Sequence, residues 1–262
     1  MPRVLAKRDN LDERNAEFQQ APLGNPVFLN SVPKSGTHLI RNIFRMFVPL
    51  RQHYADVFIQ YPILRQHQAA FSPSEPKLSW GHLLFSDDSA IVLTHARHVL
   101  LVRDPYDWVL ARARFFFSDN FQGSLEHLKG GAVSAEQMLN MMIFGIHKKA
   151  PSLNEIYTHN AVSWLGTDII LVRFEDLLAH AKAPGTEAAE AFFASLFADC
   201  GMALPDDWAE RVAIGADRGQ SGTARENLSD GSVVELPDEL PEQQGRLVEY
   251  AAPGLRTLLG YE

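Results

Sequence analysis

The sequence predicts an α/β fold with a mostly parallel central sheet flanked by helices. Three observations predict it. Short valine- and leucine-rich runs, too brief for ordinary helices, recur along the chain. The clearest of them are each followed at once by a segment with the character of a helix. Strands that alternate with helices build a parallel sheet, because parallel strands need a crossover connection.

Taken in order, residues 1–20 are charged, lack the apolar core of a signal peptide and read as a mobile lead-in to a single domain over 21–262. Pro26-Val27-Phe28-Leu29-Asn30 reads as a buried strand. A loop from Ser31 to Gly36 follows. Leu39, Ile40, Ile43, Phe44 and Phe47 then recur at helical spacing, so 37–49 is predicted as a helix with one buried face. His98-Val99-Leu100-Leu101-Val102 reads as a second strand, covered on both faces. Arg103-Asp104-Pro105 ends it, and proline suits the first turn of the helix predicted over 105–118. Residues 168–174 repeat the pattern, with a helix from Glu175 to His180. Ala90 to Thr94 is expected as a weaker fourth strand. Further helices are expected over 134–149, 151–165, 185–200, 205–214 and 241–259. Residues 216–240, rich in Gly, Asp, Ser and Pro, read as a long irregular loop of the kind that often carries function.

Composition narrows the function. Of 262 residues 46% are hydrophobic and 21% charged, which suits a globular domain with a full core. No stretch approaches the ~18 apolar residues of a membrane span. The single cysteine, Cys200, excludes an internal disulfide and a thiolate metal cluster, and with the missing leader it favours the cytosol. A net charge of −8 argues against nucleic acid as a partner. An anionic ligand then needs a local pocket of positive charge.

Pro33-Lys34-Ser35-Gly36-Thr37-His38-Leu39 supplies such a pocket. A helix N-terminus offers unpaired N–H groups and a partial positive charge. Gly36 lets a ligand approach the backbone, Ser35 and Thr37 add hydroxyl donors, and Lys34 adds a cation. The order of residues is not that of a Walker A loop, where lysine follows the last glycine. No HExxH and no Cys/His ligand spacing calls for a metal.

The string PKSGTHL resembles the 5′-phosphosulfate loop of sulfotransferases that use PAPS (3′-phosphoadenosine 5′-phosphosulfate). The resemblance implies a three-layer fold like that of phosphate-loop nucleotide-binding proteins. It also implies transfer of a sulfuryl group from PAPS to an acceptor hydroxyl, leaving PAP, with no metal. Lys34, Ser35, Gly36, Thr37, His38 and Leu39 would bind the donor, with Lys34 supporting the departing oxygen. Leu39 stands where many members have tryptophan, which alters the adenine contact. Val102-Arg103-Asp104-Pro105-Tyr106-Asp107-Trp108 resembles the family's second signature, whose arginine binds the 3′-phosphate; Arg103 takes that place. The family serine eight residues on is Ala111 here. Its hydrogen bond to the phosphate is then missing, at a cost of ~1–3 kcal/mol, or is made by Arg112 or a water instead. Asp107 and Trp108 read as structural. Arg218 and Gly219, in the run Asp217 to Arg225, resemble the family's flap over that phosphate, with Gly222 at its second glycine. Phe174-Glu175-Asp176-Leu177 resembles its Tyr-Glu-Asp-Leu, so Phe174 would pack on the base.

The acceptor must lose a proton, and histidine suits that task. Of 10 histidines, His82 in Trp80-Gly81-His82-Leu83 resembles the family's basic histidine, 21 residues before Arg103. His95 is the rival. Phe115 to Phe117 and residues 134–149 are core or the lining of an acceptor pocket. In the second case the acceptor is a small molecule or an acyl or lipid-like alcohol, with carbohydrate the competitor. Two other readings stand beside this one. The first is a nucleotide kinase or NTPase with Asp104 on a metal. The second is a non-catalytic nucleotide-binding module that docks on a carrier or partner protein. Association with a second copy is not readable from the sequence.

Overall fold

The computed structural model describes residues 3–4, 9–55, 57–123, 125–221 and 234–262. The strands are β1 (Arg3–Val4), β2 (Val27–Ser31), β3 (Ile59–Gln60), β4 (Leu78–His82), β5 (Arg97–Val102), β6 (Phe121–Gln122) and β7 (Ile169–Arg173). The helices are α1 (Leu11–Asn15), α2 (Thr37–Arg45), α3 (Asp87–Leu93), α4 (Pro105–Phe116), α5 (Ala135–Phe144), α6 (Leu153–Asn160), α7 (Phe174–Lys182), α8 (Glu187–Asp199), α9 (Trp208–Ala216), α10 (Glu242–Ala251) and α11 (Leu255–Leu258).

Five strands form one sheet in the order β3-β4-β2-β5-β7, with each neighbouring pair parallel. β1 and β6 pair antiparallel apart from it. Alternation along β2 explains the layers. Val27 and Leu29 point into a core shared with α2, α7, α8 and α9, while Phe28 points into one shared with α4, α5, α6 and α10. Covering both faces is what makes β2 and most of β5 continuous buried runs.

Several expectations shift. Ala90–Thr94 is not a strand: α3 occupies Asp87–Leu93, capped by Ser86, whose hydroxyl accepts from the Ser89 N–H, and opened by Asp87 and Asp88. The helix expected over 37–49 ends at Arg45, with Met46 as its cap. That over 134–149 ends at Phe144, before Gly145 at φ 83°. The 241–259 helix breaks at Ala252 into α10 and α11, as Pro253 and Gly254 dictate. β4, unforeseen, lies beside β2. Within the segment read as a mobile lead-in, residues 9–15 pack on α2: Leu11 is fully buried and Asp9 pairs with Arg45 at 2.9 Å.

The sheet order reverses at β2, whose neighbours β4 and β5 come later in the chain on opposite sides. Ligands of open parallel sheets bind outside the carboxyl ends of the strands at such a point.

Candidate active site

The strand register gathers the site. Asn30 pairs with Gly81, which sets Ser31 level with His82; Ser31 pairs with Leu101, and Val102 with Arg173, which sets Arg103 level with Phe174. The loop 32–36, His82, Arg103 and Phe174 thus share one edge of the sheet. His95 precedes β5 and stands exposed at the other edge, about 20 Å away at ~3.3 Å per residue. A polar cavity of about 390 Å³, lined by Arg97, Asp168 and Asp199 among others, also lies at that far edge.

The loop turns sharply into α2. Gly36, its N-cap, has φ 95°, and Lys34 has φ 71°, a left-handed conformation that costs a side-chain-bearing residue ~1–3 kcal/mol. A Cβ at Gly36 would run into the ring of Phe174. Trp108, buried on α4, donates its indole N–H to the Pro33 carbonyl at 2.6 Å and so ties the second signature to the first. Lys34 places Nζ 3.6 Å from the centre of the Phe115 ring. Burial and the charge of Arg103 push its pKa down to about 7.

Arg103 lies over the Phe174 ring, 4.5 Å from guanidinium carbon to ring centre. Its own carbonyl accepts from the Tyr157 hydroxyl at 2.8 Å, and the next N–H, of Asp104, donates to Glu175 at 3.1 Å. The peptide is held from both sides. Glu175 also accepts from the Tyr261 hydroxyl at 2.8 Å, and Asp104 pairs with Arg256 at 3.0 Å, so the C-terminal turn braces this corner. Among the described residues Arg103 Nε is buried with no hydrogen-bond partner. Ser35 Oγ is likewise buried, beside the Tyr157 hydroxyl but in no hydrogen bond of good geometry. Orphan buried donors cost ~1–3 kcal/mol each, a cost that an anion bound beside them would offset. The donor set therefore fits a phosphate- and sulfate-bearing ligand.

His82 ends β4. Its Nδ1 is 2.8 Å from the Ser31 carbonyl. A carbonyl only accepts, so Nδ1 carries the hydrogen and Nε2 keeps its lone pair. Burial, partly offset by that bond, and the Lys34 charge push its pKa down to about 4. The neighbouring Asn30 fixes the strand ends: its side chain donates to the Leu83 carbonyl at 3.1 Å and accepts from the Leu83 N–H at 2.9 Å. Phe58 flanks His82 with ring centres 4.7 Å apart. His38 is half-buried at the head of α2, its pKa pushed down to about 3 by burial and by Arg41, Lys34 and His82. Leu39 packs against the core on the α2 face of the sheet.

One alternative falls here. Arg112 does not replace the family serine: it is buried, and its guanidinium donates to the carbonyls of Met142 and Pro151 at 3.0 and 2.7 Å. Phe115 and Phe117, with Met138, Leu139, Met142 and Ile143, are core. Arg218 and Gly219 form a turn with Gln220, whose carbonyl accepts from Asn42 and whose side chain accepts from the Asn10 N–H. Asn42 lies about 7–8 Å along α2 from Thr37, so the turn sits beside that helix. Gly222, Thr223, Ala224 and Arg225 lie outside the described residues. Tyr157, Asn30 and Arg256 were not foreseen; their roles rest on bonds across 53 residues or more, which no local pattern carries.

No protein-family model and no curated protein matches the sequence. Solved structures do. Mouse sulfotransferase SULT7A1, complexed with PAP, superposes with a TM-score of 0.55 at 14% identity over 95% of this chain and 92% of that one. The chain has the sulfotransferase fold. Retinol dehydratase, in a complex with retinol and PAP, is also similar, at a TM-score of 0.49 and 14% identity over 92% of this chain and 82% of that one. Within the sulfotransferase fold, the five-stranded parallel sheet and its flanking helices are the three-layer arrangement expected from the sequence. No helix among the described residues is long and apolar enough to cross a membrane, and no group of three potential metal ligands occurs among them.

Proposed function

We propose that the chain is a PAPS-dependent sulfotransferase acting in the cytosol on an alcohol of small, apolar kind. One observation carries the reading: Lys34 and Arg103, 69 residues apart in sequence, lie just beyond the carboxyl ends of adjacent strands, close enough for the Arg103 charge to depress the Lys34 pKa. Lys34, Ser35, Gly36 and Thr37 would hold the 5′-phosphosulfate at the head of α2, and Arg103 the 3′-phosphate. Phe174, between Gly36 and Arg103, would pack on the base.

In this reading His82 Nε2 takes the acceptor proton as the oxygen attacks sulfur, and Lys34 stabilises the negative charge that develops on the departing phosphate oxygen. The neutral imidazole is the form present at pH 7, because its pKa lies near 4. An anionic donor beside Lys34 cancels that lysine's field and strengthens the base. Positioning and fixed charge supply the catalysis, and no step calls for a metal. Phe58 beside His82 favours an acceptor whose hydroxyl sits on an apolar body.

The kinase reading needs Asp104 free for a metal. Asp104 instead caps α4 and pairs with Arg256. The test is calorimetry with PAP, and with ATP and magnesium, followed by labelled-sulfate transfer from PAPS to a panel of alcohols, phenols, glycans and acyl substrates. PAP binding with transfer is expected. ATP binding without PAP binding overturns the proposal, and PAP binding with no transfer to any acceptor supports the binding-module reading.

A further inference from the structure

We propose that Ser31 is a positioning residue: its hydroxyl joins the anion-binding head of α2 to the base His82, so that donor occupancy is felt at the imidazole. The inference rests on the sulfotransferase reading of the site and goes beyond it.

Ser31 is fully buried, and its Oγ lies 2.6 Å from Thr37 Oγ1 and 3.1 Å from His82 Nδ1. Thr37, the first residue of α2, is also buried. A hydroxyl has one hydrogen to give and two lone pairs. The His82 Nδ1–H is fixed by the Ser31 carbonyl at 2.8 Å and leans on Ser31 Oγ as well. Ser31 Oγ, already accepting from His82, then directs its own hydrogen to Thr37 Oγ1. Thr37 is left with a hydrogen to give, and it stands beside Gly36 at the mouth of the loop.

The chain therefore has a direction: Nδ1–H of His82 to Ser31, Ser31 to Thr37, Thr37 to an anion at the helix head. Hydrogen bonds in series polarise one another in a low-dielectric interior. An anion that accepts from Thr37 strengthens each bond upstream and raises the electron density at Nε2. No proton moves along the chain; the acceptor's proton goes to Nε2 and stays there during transfer. The groups that face His82 are few. Lys34 and His38 are the charged or titratable ones, both from the loop and α2. From β3 comes uncharged Gln60, its register partner, and from the segment before β3 the Phe58 ring. From β2 comes Ser31 itself. The hydroxyl chain thus gives the donor a route to the imidazole that does not run through Lys34.

The experiment follows the His82 side-chain nitrogens by NMR in the full chain labelled with ¹⁵N-histidine, at pH 7, with and without PAP, alongside PAP calorimetry. In the wild type PAP is expected to move the Nδ1–H resonances of His82 downfield. In Ser31→Ala the response should shrink to the part that runs through Lys34, at least a halving, while PAP affinity changes by less than about threefold, and Ser31→Thr should restore it. Thr37→Val, at saturating PAP, should reduce the response to the same remainder and serves if Ser31→Ala does not fold. An identical PAP response in Ser31→Ala or Thr37→Val and in the wild type overturns the proposal. If PAP does not bind the wild type, the sulfotransferase reading falls. The ligand-free spectra then decide this inference: Nδ1–H signals that coincide in wild type and Ser31→Ala overturn it, and signals that differ support the bond to the serine hydroxyl.

Discussion

The guanidinium of Arg103 covers the ring of Phe174, and the same ring closes against Gly36. One phenyl group thus touches both the loop and the arginine, the two elements proposed to bind the anion. Its place follows from β7, whose last residue, Arg173, is in register with Val102.

Gly36→Ala should weaken PAP binding by about 10–100-fold. The added carbon meets Phe174 and sits at a φ that costs ~1–3 kcal/mol for any other residue. Calorimetry checks the affinity. An unchanged affinity would show that Phe174 can move away freely.

Lys34 carries both strain and chemistry. Lys34→Gly and Lys34→Ala should each lower turnover by about 10²–10³-fold, the effect of removing a preorganised charge-stabilising donor. The two should differ in stability: glycine tolerates the left-handed backbone, so Lys34→Gly should unfold at higher denaturant than Lys34→Ala, by ~1 kcal/mol. Equal midpoints would mean that the turn relaxes when the lysine is removed.

Donor affinity should fall as pH rises above 7. In the free protein Lys34 loses its proton near pH 7, and an anion binds the protonated form. Between pH 7.5 and 9.5 the donor's phosphate charge is constant, so binding must be accompanied by proton uptake at Lys34. Calorimetry in two buffers of different ionisation heat measures that uptake; none at pH 8.5 contradicts the burial of this lysine.

His82→Ala should reduce kcat by about 10²–10⁴-fold and leave PAP binding intact. In the wild type the acid limb of kcat/KM should fall well below the ordinary histidine value of ~6.5, because protonation of His82 near pH 4 is what silences it. An acid limb near 6.5 would place the base elsewhere.

Glu175→Ala removes the acceptor that Asp104 N–H and the Tyr261 hydroxyl share. It should loosen the Arg103 peptide and weaken PAP binding by about tenfold, with the far edge of the sheet unaffected in hydrogen exchange. A drop in protection throughout the sheet would make Glu175 a general stability residue.

The readable strands were those with a dense apolar run; in β2 and most of β5 that run follows from burial on two faces, while β7 keeps one although most of its residues are only half-buried. β2, β5 and β7 each left a dense apolar run with its helix close behind. β4 left none: Leu78-Ser79-Trp80-Gly81-His82 mixes polar and small residues, since Gly81 must admit the Ile59 carbonyl of β3. Ala90 to Leu93 misled because its apolar residues are not a buried strand; Ile91 is 69% exposed, and the Ser86 cap with two following aspartates was the better guide. In the site, the residues proposed to hold the anion were legible because a phosphate loop is a local motif. The residues that hold them were not. Tyr157, Asn30, Ser31 and Arg256 each act through hydrogen bonds or an ion pair to a segment at least 51 residues away, and only register and packing bring those together.

Gly215 of α9 meets α2 so closely that a Cβ there would stand 2.6 Å from the Cα of Ile43. The helix that follows the loop at Gly36 is thereby mated, near its C-terminal end, to the last turn of the helix that leads into Arg218. A descendant lineage can exchange this glycine for alanine only by sliding one rod against the other, and such a slip would carry the turn at Arg218 with it. If the proposed donor site is right, drift at position 215 would show as altered nucleotide grip before it unfolded the chain.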